Sequence, residues 1–286
     1  PLHIPLDNGL ETLAYSVRPN PVPSGNNFEV LLYLTPHRTP EHDFRPLFRL
    51  QSPDGQIWNL NPHETLPPRW HREPPRTQYW PIGKYGQFAR LYKVLPGTPP
   101  GDYHLTATFF DYSTLETSKV LAPQGVPHTD RIDLGTVTVI RPSKATSLAS
   151  LDVKTETRAL LTPAITLVGG SADRIQASPG DLMTVTLFFY AESSPKVNEK
   201  ITLGLDGTDF ALTLEPTPGF PTRQWQAGDV WRGQHLVSLP ANLKDGRYIW
   251  TVQSSEDQVA HLGVLDIDSP KRIFDQPAVS NSTHLS

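Results

Sequence analysis

An all-β fold of two tandem immunoglobulin-like antiparallel β-sandwich domains is predicted by three observations: a phrase written twice, heavy proline and glycine punctuation, and short alternating apolar runs. The phrase is Trp225-Gln226-Ala227-Gly228-Asp229-Val230, followed by Leu239-Pro240 and Gly246-Arg247-Tyr248. It occurs earlier as Trp80-Pro81-Ile82-Gly83-Lys84-Tyr85, Leu95-Pro96 and Gly101-Asp102-Tyr103. The same landmarks in the same order imply one supersecondary unit used twice. With 286 residues, the repeat decides for two domains of about 130 to 140 residues over one large one. The 30 Pro and 19 Gly disfavour long helices, because proline removes a backbone donor and clashes with the preceding turn. A chain that is 37% hydrophobic buries too much apolar surface to stay disordered, so the prolines punctuate loops and edge strands.

In chain order, Leu10 to Val17 opens the first domain as a half-buried strand, and the Pro19 to Gly25 run ends it with turn chemistry. Phe28, Val30, Leu32 and Leu34 then alternate with Leu31 and Tyr33, a strand with one buried face. Phe44 to Gln51 follows, with Phe44, Phe48 and Leu50 inward, and Asp54-Gly55 closes a hairpin into Gln56-Ile57-Trp58, since Asp and Gly tolerate the positive φ a tight turn demands. From Asn59 to Gln78 the period is lost in a run rich in Pro, Arg and His. Strands resume at Phe88 to Val94, Tyr103 to Phe110 and Leu134 to Val139. Trp80 and Trp225 are expected to cap one end of each core, and the Gly-x-Tyr pairs to bury a ring while the hydroxyl bonds nearby backbone.

The expected boundaries are residues 1–142 for the first sandwich, 143–163 for a connection with room for a short strand or helical turn, 164–270 for the second sandwich, and 271–286 for a loosely held polar tail. The second domain repeats the first. Ile165 to Val168 matches Leu10 to Leu13, Val185 to Phe189 matches Val30 to Leu34, Asp206-Gly207 matches Asp54-Gly55, Tyr248 to Val252 matches Tyr103 to Ala107, and Leu262 to Ile267 matches Leu134 to Val139. Gly169-Gly170-Ser171 reads as a turn between strands.

The residues Trp225, Gly228, Asp229 and Val230, then Leu239-Pro240, Gly246 and Tyr248, resemble a pattern in repeated extracytoplasmic sandwich domains. Those domains stand near the C-terminal ends of bacterial multispanning glycosyltransferase-like proteins of the lipid-linked mannosyltransferase type. The resemblance covers most of residues 10 to 140 and 164 to 268, and the first copy departs from it at Lys84, where the second has Asp229. It implies an outward-facing, non-catalytic module, on the cell surface or in the periplasm, of a larger membrane-bound protein whose transferase chemistry lies elsewhere. It carries over no catalytic residue. A first residue Pro1 in place of Met fits a portion of something longer.

A net charge of −4 gives no basic field for nucleic acid or an anionic membrane. The chain has no cysteine, which excludes thiolate nucleophiles, thiolate zinc sites and disulfides. No apolar run approaches the roughly 18 residues of a membrane-spanning helix. His63-Glu64 begins like a zinc-protease helix, but Pro67 stands where the second histidine belongs, so no metal or other cofactor is expected. There is no nucleophile elbow and no phosphate loop. Asp54, Asp111, Asp206 and Asp209 are the carboxylates that paired acid–base chemistry would draw on, although Asp54 and Asp206 are explained as turn residues. Asp266 and Asp268 alternate at a strand end, a solvated edge rather than a calcium site. No catalytic residue is assigned. The binding candidates are Arg69, Trp70, His71, Arg72, Arg76 and Tyr79, planar donors beside flat rings that suit a cell-envelope glycan or a protein partner. The plainer alternative packs Trp70 onto the sandwich and leaves the arginines solvated or paired with Glu64 and Glu73. Two functions stay open: a module that binds or positions glycan for a transferase, or a structural spacer or protein-interaction module with no ligand of its own.

Overall fold

The computed structural model describes residues 1–58, 75–254 and 258–268. Its first half contains strands β1 (Ile4–Pro5), β2 (Leu10–Arg18), β3 (Val22–Pro23), β4 (Asn27–Pro36), β5 (Phe44–Gln51), β6 (Gly86–Lys93), β7 (Gly101–Asp111), β8 (Val120–Leu121), β9 (Pro127–Thr129) and β10 (Ile132–Ile140). The second half contains β11 (Thr155–Thr162), β12 (Ile165–Ala172), β13 (Gln176–Ala177), β14 (Leu182–Ala191), β15 (Ile201–Leu205), β16 (Ala211–Leu214), β17 (Val230–Ser238), β18 (Gly246–Ser254) and β19 (Val259–Ile267). The chain is all-β, as its sequence predicts.

Each half is a two-layer sandwich with the same strand order. Sheet β1-β2-β4-β6 faces β3-β10-β7-β5 in the first, and β11-β12-β14-β17 faces β13-β19-β18-β15-β16 in the second. The chain switches sheets between β2 and β3, and again between β12 and β13, so that β3 runs parallel to β10 and β13 parallel to β19 while the other pairings are antiparallel. This partition is shared with immunoglobulin-like sandwiches. A small hairpin, β8-β9, is added in the first half.

Alternation drives the layering. In β4, Phe28, Val30, Leu32 and Leu34 are wholly buried, and Met183, Val185, Leu187 and Phe189 of β14 repeat the pattern. Each such side chain contributes roughly 1.5–3 kcal/mol on leaving water. Two separate apolar clusters result, one drawn from residues 6–139 and the other from residues 161–267.

The Gly-x-Tyr hydroxyls bond backbone as expected; Tyr103 buries its ring, while Tyr248 is only partly buried. Tyr103 donates its hydroxyl to the Pro99 carbonyl at 2.9 Å and Tyr248 donates to the Lys244 carbonyl at 2.9 Å. Trp80 and Trp225 are buried in their respective clusters. Both follow a 3-10 turn, Thr77–Tyr79 and Thr222–Gln224. A buried threonine opens each turn: Thr77 Oγ1 accepts the Phe44 N–H at 2.8 Å, and Thr222 Oγ1 accepts the Glu199 N–H at 2.8 Å. The clamp pins the start of β5 and the approach to β15, and the sequence signal for it was a Thr three residues before each Trp.

One local expectation changes. Gly169-Gly170-Ser171 is not a turn but lies inside β12, where the register shifts between Leu167 and Gly169. Glycine is required there because a Cβ at Gly169 would stand 2.1 Å from the Thr155 carbonyl of β11, a close approach that only a missing side chain permits. In the connection, where the sequence leaves room for a short strand, β11 pairs to β12. In the second half, β16 pairs to β15 as an added edge strand.

Candidate functional site

Of the binding candidates, Arg69, Trp70, His71 and Arg72 lie outside the described residues. Arg76 and Tyr79 flank the 3-10 turn, with the Tyr79 N–H donating to the Arg76 carbonyl at 3.0 Å. Both are exposed. Tyr79 is 68% exposed, and the turn that follows adds Ile82 at 60% and Tyr85 at 74%. The turn is rigidly seated beneath these side chains: Trp80 is buried and donates Nε1 to the Pro75 carbonyl at 2.9 Å, and the Gly83 N–H reaches the Pro36 carbonyl at 3.1 Å. Ile82 and Tyr85, missed in the sequence because they stand inside the repeated phrase, thus extend the apolar surface next to Tyr79.

The shifted carboxylates are committed to nearby side chains and backbone amides. Burial raises Asp111, but hydrogen bonds from the Ser113 hydroxyl and N–H outweigh it and hold the carboxyl below its ordinary value. Burial likewise raises Asp54, and donation from Ser52 and Gln56 brings it down. Asp111 shares an open cavity of about 360 Å³ with Asp7, Glu41, His42 and Glu116, in which Asp7 accepts the Lys119 N–H at 2.9 Å. Glu11 is lowered chiefly by its hydrogen bond from His37, with His3 on its other oxygen. Asp266 forms a two-pronged pair with Arg247, at 2.8 and 3.2 Å. The shifted carboxyls therefore all move down, toward the charged form, which suits an anchor rather than a proton donor. Among the described residues no group of three or more His, Asp or Glu side chains could hold a metal ion.

The most heavily built polar site lies between the two sandwiches. In β17, Trp231, Gly233, His235 and Val237 point into the second sandwich, which leaves Arg232 and Gln234 on the opposite face. That face meets the first sandwich. The Arg232 N–H donates to the Gly97 carbonyl at 2.7 Å, its Nη2 donates to the Trp58 carbonyl at 3.0 Å, and its guanidinium sits 4.7 Å from the Trp58 ring centroid. Gln234 Nε2 donates to the Ile57 carbonyl at 2.9 Å. Trp58 in turn meets the Tyr103 ring edge-on at 5.8 Å. Burial pushes Arg232 down to about 10, with Tyr103 pulling the other way. The group stays charged at neutral pH. Among the described residues it has no carboxylate at ion-pair distance, so the Trp58 ring, the Trp58 carbonyl and the Thr98 hydroxyl at 3.4 Å carry the compensation that a buried cation needs.

A second clasp uses the chain connecting the halves. Arg141, just past β10, forms an ion pair with Asp229 at 3.1 Å, donates to the Gln224 carbonyl at 2.8 Å and lies 5.7 Å from the Trp231 ring centroid. Asp229 also accepts the Gln226 N–H and Trp231 Nε1. This accounts for the departure at Lys84: the acidic residue of the second copy serves the joint, and the matching turn of the first copy is exposed at that position.

No family model matches the chain, and no curated protein matches its sequence. Among solved structures it is similar to a protein described as membrane anchored, from Corynebacterium diphtheriae, at 12% identity and a TM-score of 0.23, over 96% of this chain. The chain spans 61% of that protein's length. A TM-score this low identifies neither a shared fold nor a shared function. No helix among the described residues is long and apolar enough to cross a membrane.

Proposed function

We propose that the chain is a non-catalytic, extracytoplasmic module of a larger membrane-bound, glycosyltransferase-like protein, and that its task is to hold a partner surface at a fixed distance and angle. The observation that carries this reading is the Arg232 joint. A flexible tandem would solvate such a cation, whereas here it is buried against Trp58 and bonded to the Trp58 carbonyl and the Thr98 hydroxyl of the other sandwich, while the Arg232 backbone N–H is held by the Gly97 carbonyl. Burial of that kind is tolerable only when the two bodies stay together. The repeated phrase supports the class. The chain lacks cysteine, so spin labels placed through Lys84→Cys and Lys196→Cys report the distance between sandwiches without competing sites. A single narrow distance distribution is expected; a broad one contradicts the spacer.

A second reading is favoured by Tyr79, Ile82 and Tyr85: exposed rings beside Arg76 suit the apolar faces of a cell-envelope sugar. Titration with envelope oligosaccharides tests it, with binding expected to fall at least tenfold in Tyr79→Ala. Unchanged binding in that variant, or no binding at all, removes the glycan role and leaves the spacer.

A further inference from the structure

The joint has a counterpart at the far end of the second sandwich, and it is open. In the first sandwich the socket for Arg232 is made by the residue after the Asp54-Gly55 hairpin, Trp58, by the corner after Leu95-Pro96, and by Tyr103. Counting from the matching landmarks, the second sandwich puts Phe210 after Asp206-Gly207, Asn242 after Leu239-Pro240, and Tyr248 in the place of Tyr103. Those residues come together as well. Asp209, Phe210, Pro240, Asn242, Lys244 and Tyr248 line a pocket of about 580 Å³. The difference is cover: Trp58 and Tyr103 are buried beneath the other sandwich, while Phe210 and Tyr248 are only partly buried.

We propose that this pocket is a docking socket for an arginine-bearing β-strand edge of a partner protein, filled as Arg232 fills the first. Three features argue for that occupant. The same chain shows what the equivalent socket takes, a guanidinium lying over an aromatic ring with its strand amide bonded to the corner. The second socket keeps two rings for a cation to face, Phe210 and Tyr248. It also gains a charge: the place of Ile57, whose carbonyl takes Gln234 in the first socket, is held by Asp209. That carboxylate offers a guanidinium an ion-pair partner the first socket lacks, and since Lys244 on the rim supplies a cation in the place of Pro99, the attraction comes from Asp209 itself and not from net charge. A second copy of this chain is a poorer occupant. The register pairs Val185 with His235 and Val30 with Arg90, so the strand positions of Arg232 and Gln234 are taken in β6 by Gln87 and Ala89, which supply no cation.

The inference rests on the geometry of the joint and not on any glycan or transferase role, and its test reads the opposite end of the second sandwich from the spin-label experiment. The probe is an acetylated and amidated peptide with the sequence of residues 229–236, which contains Arg232, titrated into the isotope-labelled full chain and followed by NMR. Saturable shifts are expected at Asp209, Phe210 and Tyr248. A peptide with citrulline in place of the arginine should bind at least tenfold more weakly, and Asp209→Asn, an exposed change that leaves the core alone, should weaken binding severalfold; Phe210→Ala should abolish it. Shifts centred on Trp58 and Gly97, equal binding of the citrulline peptide, no saturable shift, or head-to-tail self-association of the chain in sedimentation would each overturn the proposal.

Discussion

At the scale of single residues, the same side chain has different worth in the two copies because only one is covered. Tyr103 and Tyr248 make the same hydroxyl-to-carbonyl bond, but Tyr103 is buried, which raises its hydroxyl far above the ordinary value. Tyr103→Phe leaves a buried carbonyl short of a donor and should cost about 1–2 kcal/mol. Tyr248→Phe exchanges its bond for water and should cost no more than about 0.5 kcal/mol; urea unfolding of both variants checks the contrast. His235 makes a pH prediction. Burial pushes its imidazole down to about 4, with the nearby Pro216 backbone pulling up, so the native state keeps it neutral while the unfolded chain takes a proton near pH 6.5. Because the unfolded state then binds more protons, stability falls as pH drops from about 6.5 to about 4 and this contribution is constant below, a loss of about 3 kcal/mol. His235→Gln should remove that part of the acid sensitivity; an unchanged slope between wild type and variant over this window contradicts it. Neither asymmetry was legible in the sequence, where the two tyrosines are equivalent and His235 is one of 10 histidines.

At the scale of elements, long strands were readable and short ones were not. Phe28, Val30, Leu32 and Leu34 announce β4 by period alone, and Tyr103, Leu105, Ala107 and Phe109 announce β7, because a half-buried strand must alternate. β1, β3 and β13 have two residues each, too few to show a period, and they form because a neighbouring edge offers them hydrogen bonds. Gly169-Gly170 misled for a related reason: glycine marks both turns and close backbone approaches, and only the position of Thr155 decides between them. The corner at Gly97 is a comparable case with a measurable consequence. Gly97 and Gly228 have similar positive φ, +81° and +86°, but a Cβ at Gly97 would stand 3.2 Å from the Arg232 nitrogen, while one at Gly228 meets nothing within 4 Å. Gly228→Ala should therefore cost only the backbone strain, about 1–2 kcal/mol, and Gly97→Ala should cost more and loosen the joint. Equal losses in thermal unfolding would show that the corner does not bear on Arg232.

At the scale of the whole molecule, the duplicated phrase disclosed two sandwiches but not how they meet. Nothing in the sequence singles out Arg232, and the outward face of β17 carries no local mark that another body will cover it. The candidate binding residues were legible only as composition, an Arg and aromatic run, of which the described part contributes Arg76 and Tyr79 beside the exposed Ile82 and Tyr85. In the proposed positioning role, the buried Arg232 and the Arg141–Asp229 pair together hold the two sandwiches in one arrangement. Its most direct measurement is amide hydrogen exchange at Arg232. That N–H points away from β14 and has its acceptor, the Gly97 carbonyl, only in the other sandwich. If the joint persists, the Arg232 amide should exchange as slowly as neighbours bonded within the sheet; exchange at the rate of an exposed edge-strand amide would show that the two sandwiches part in solution.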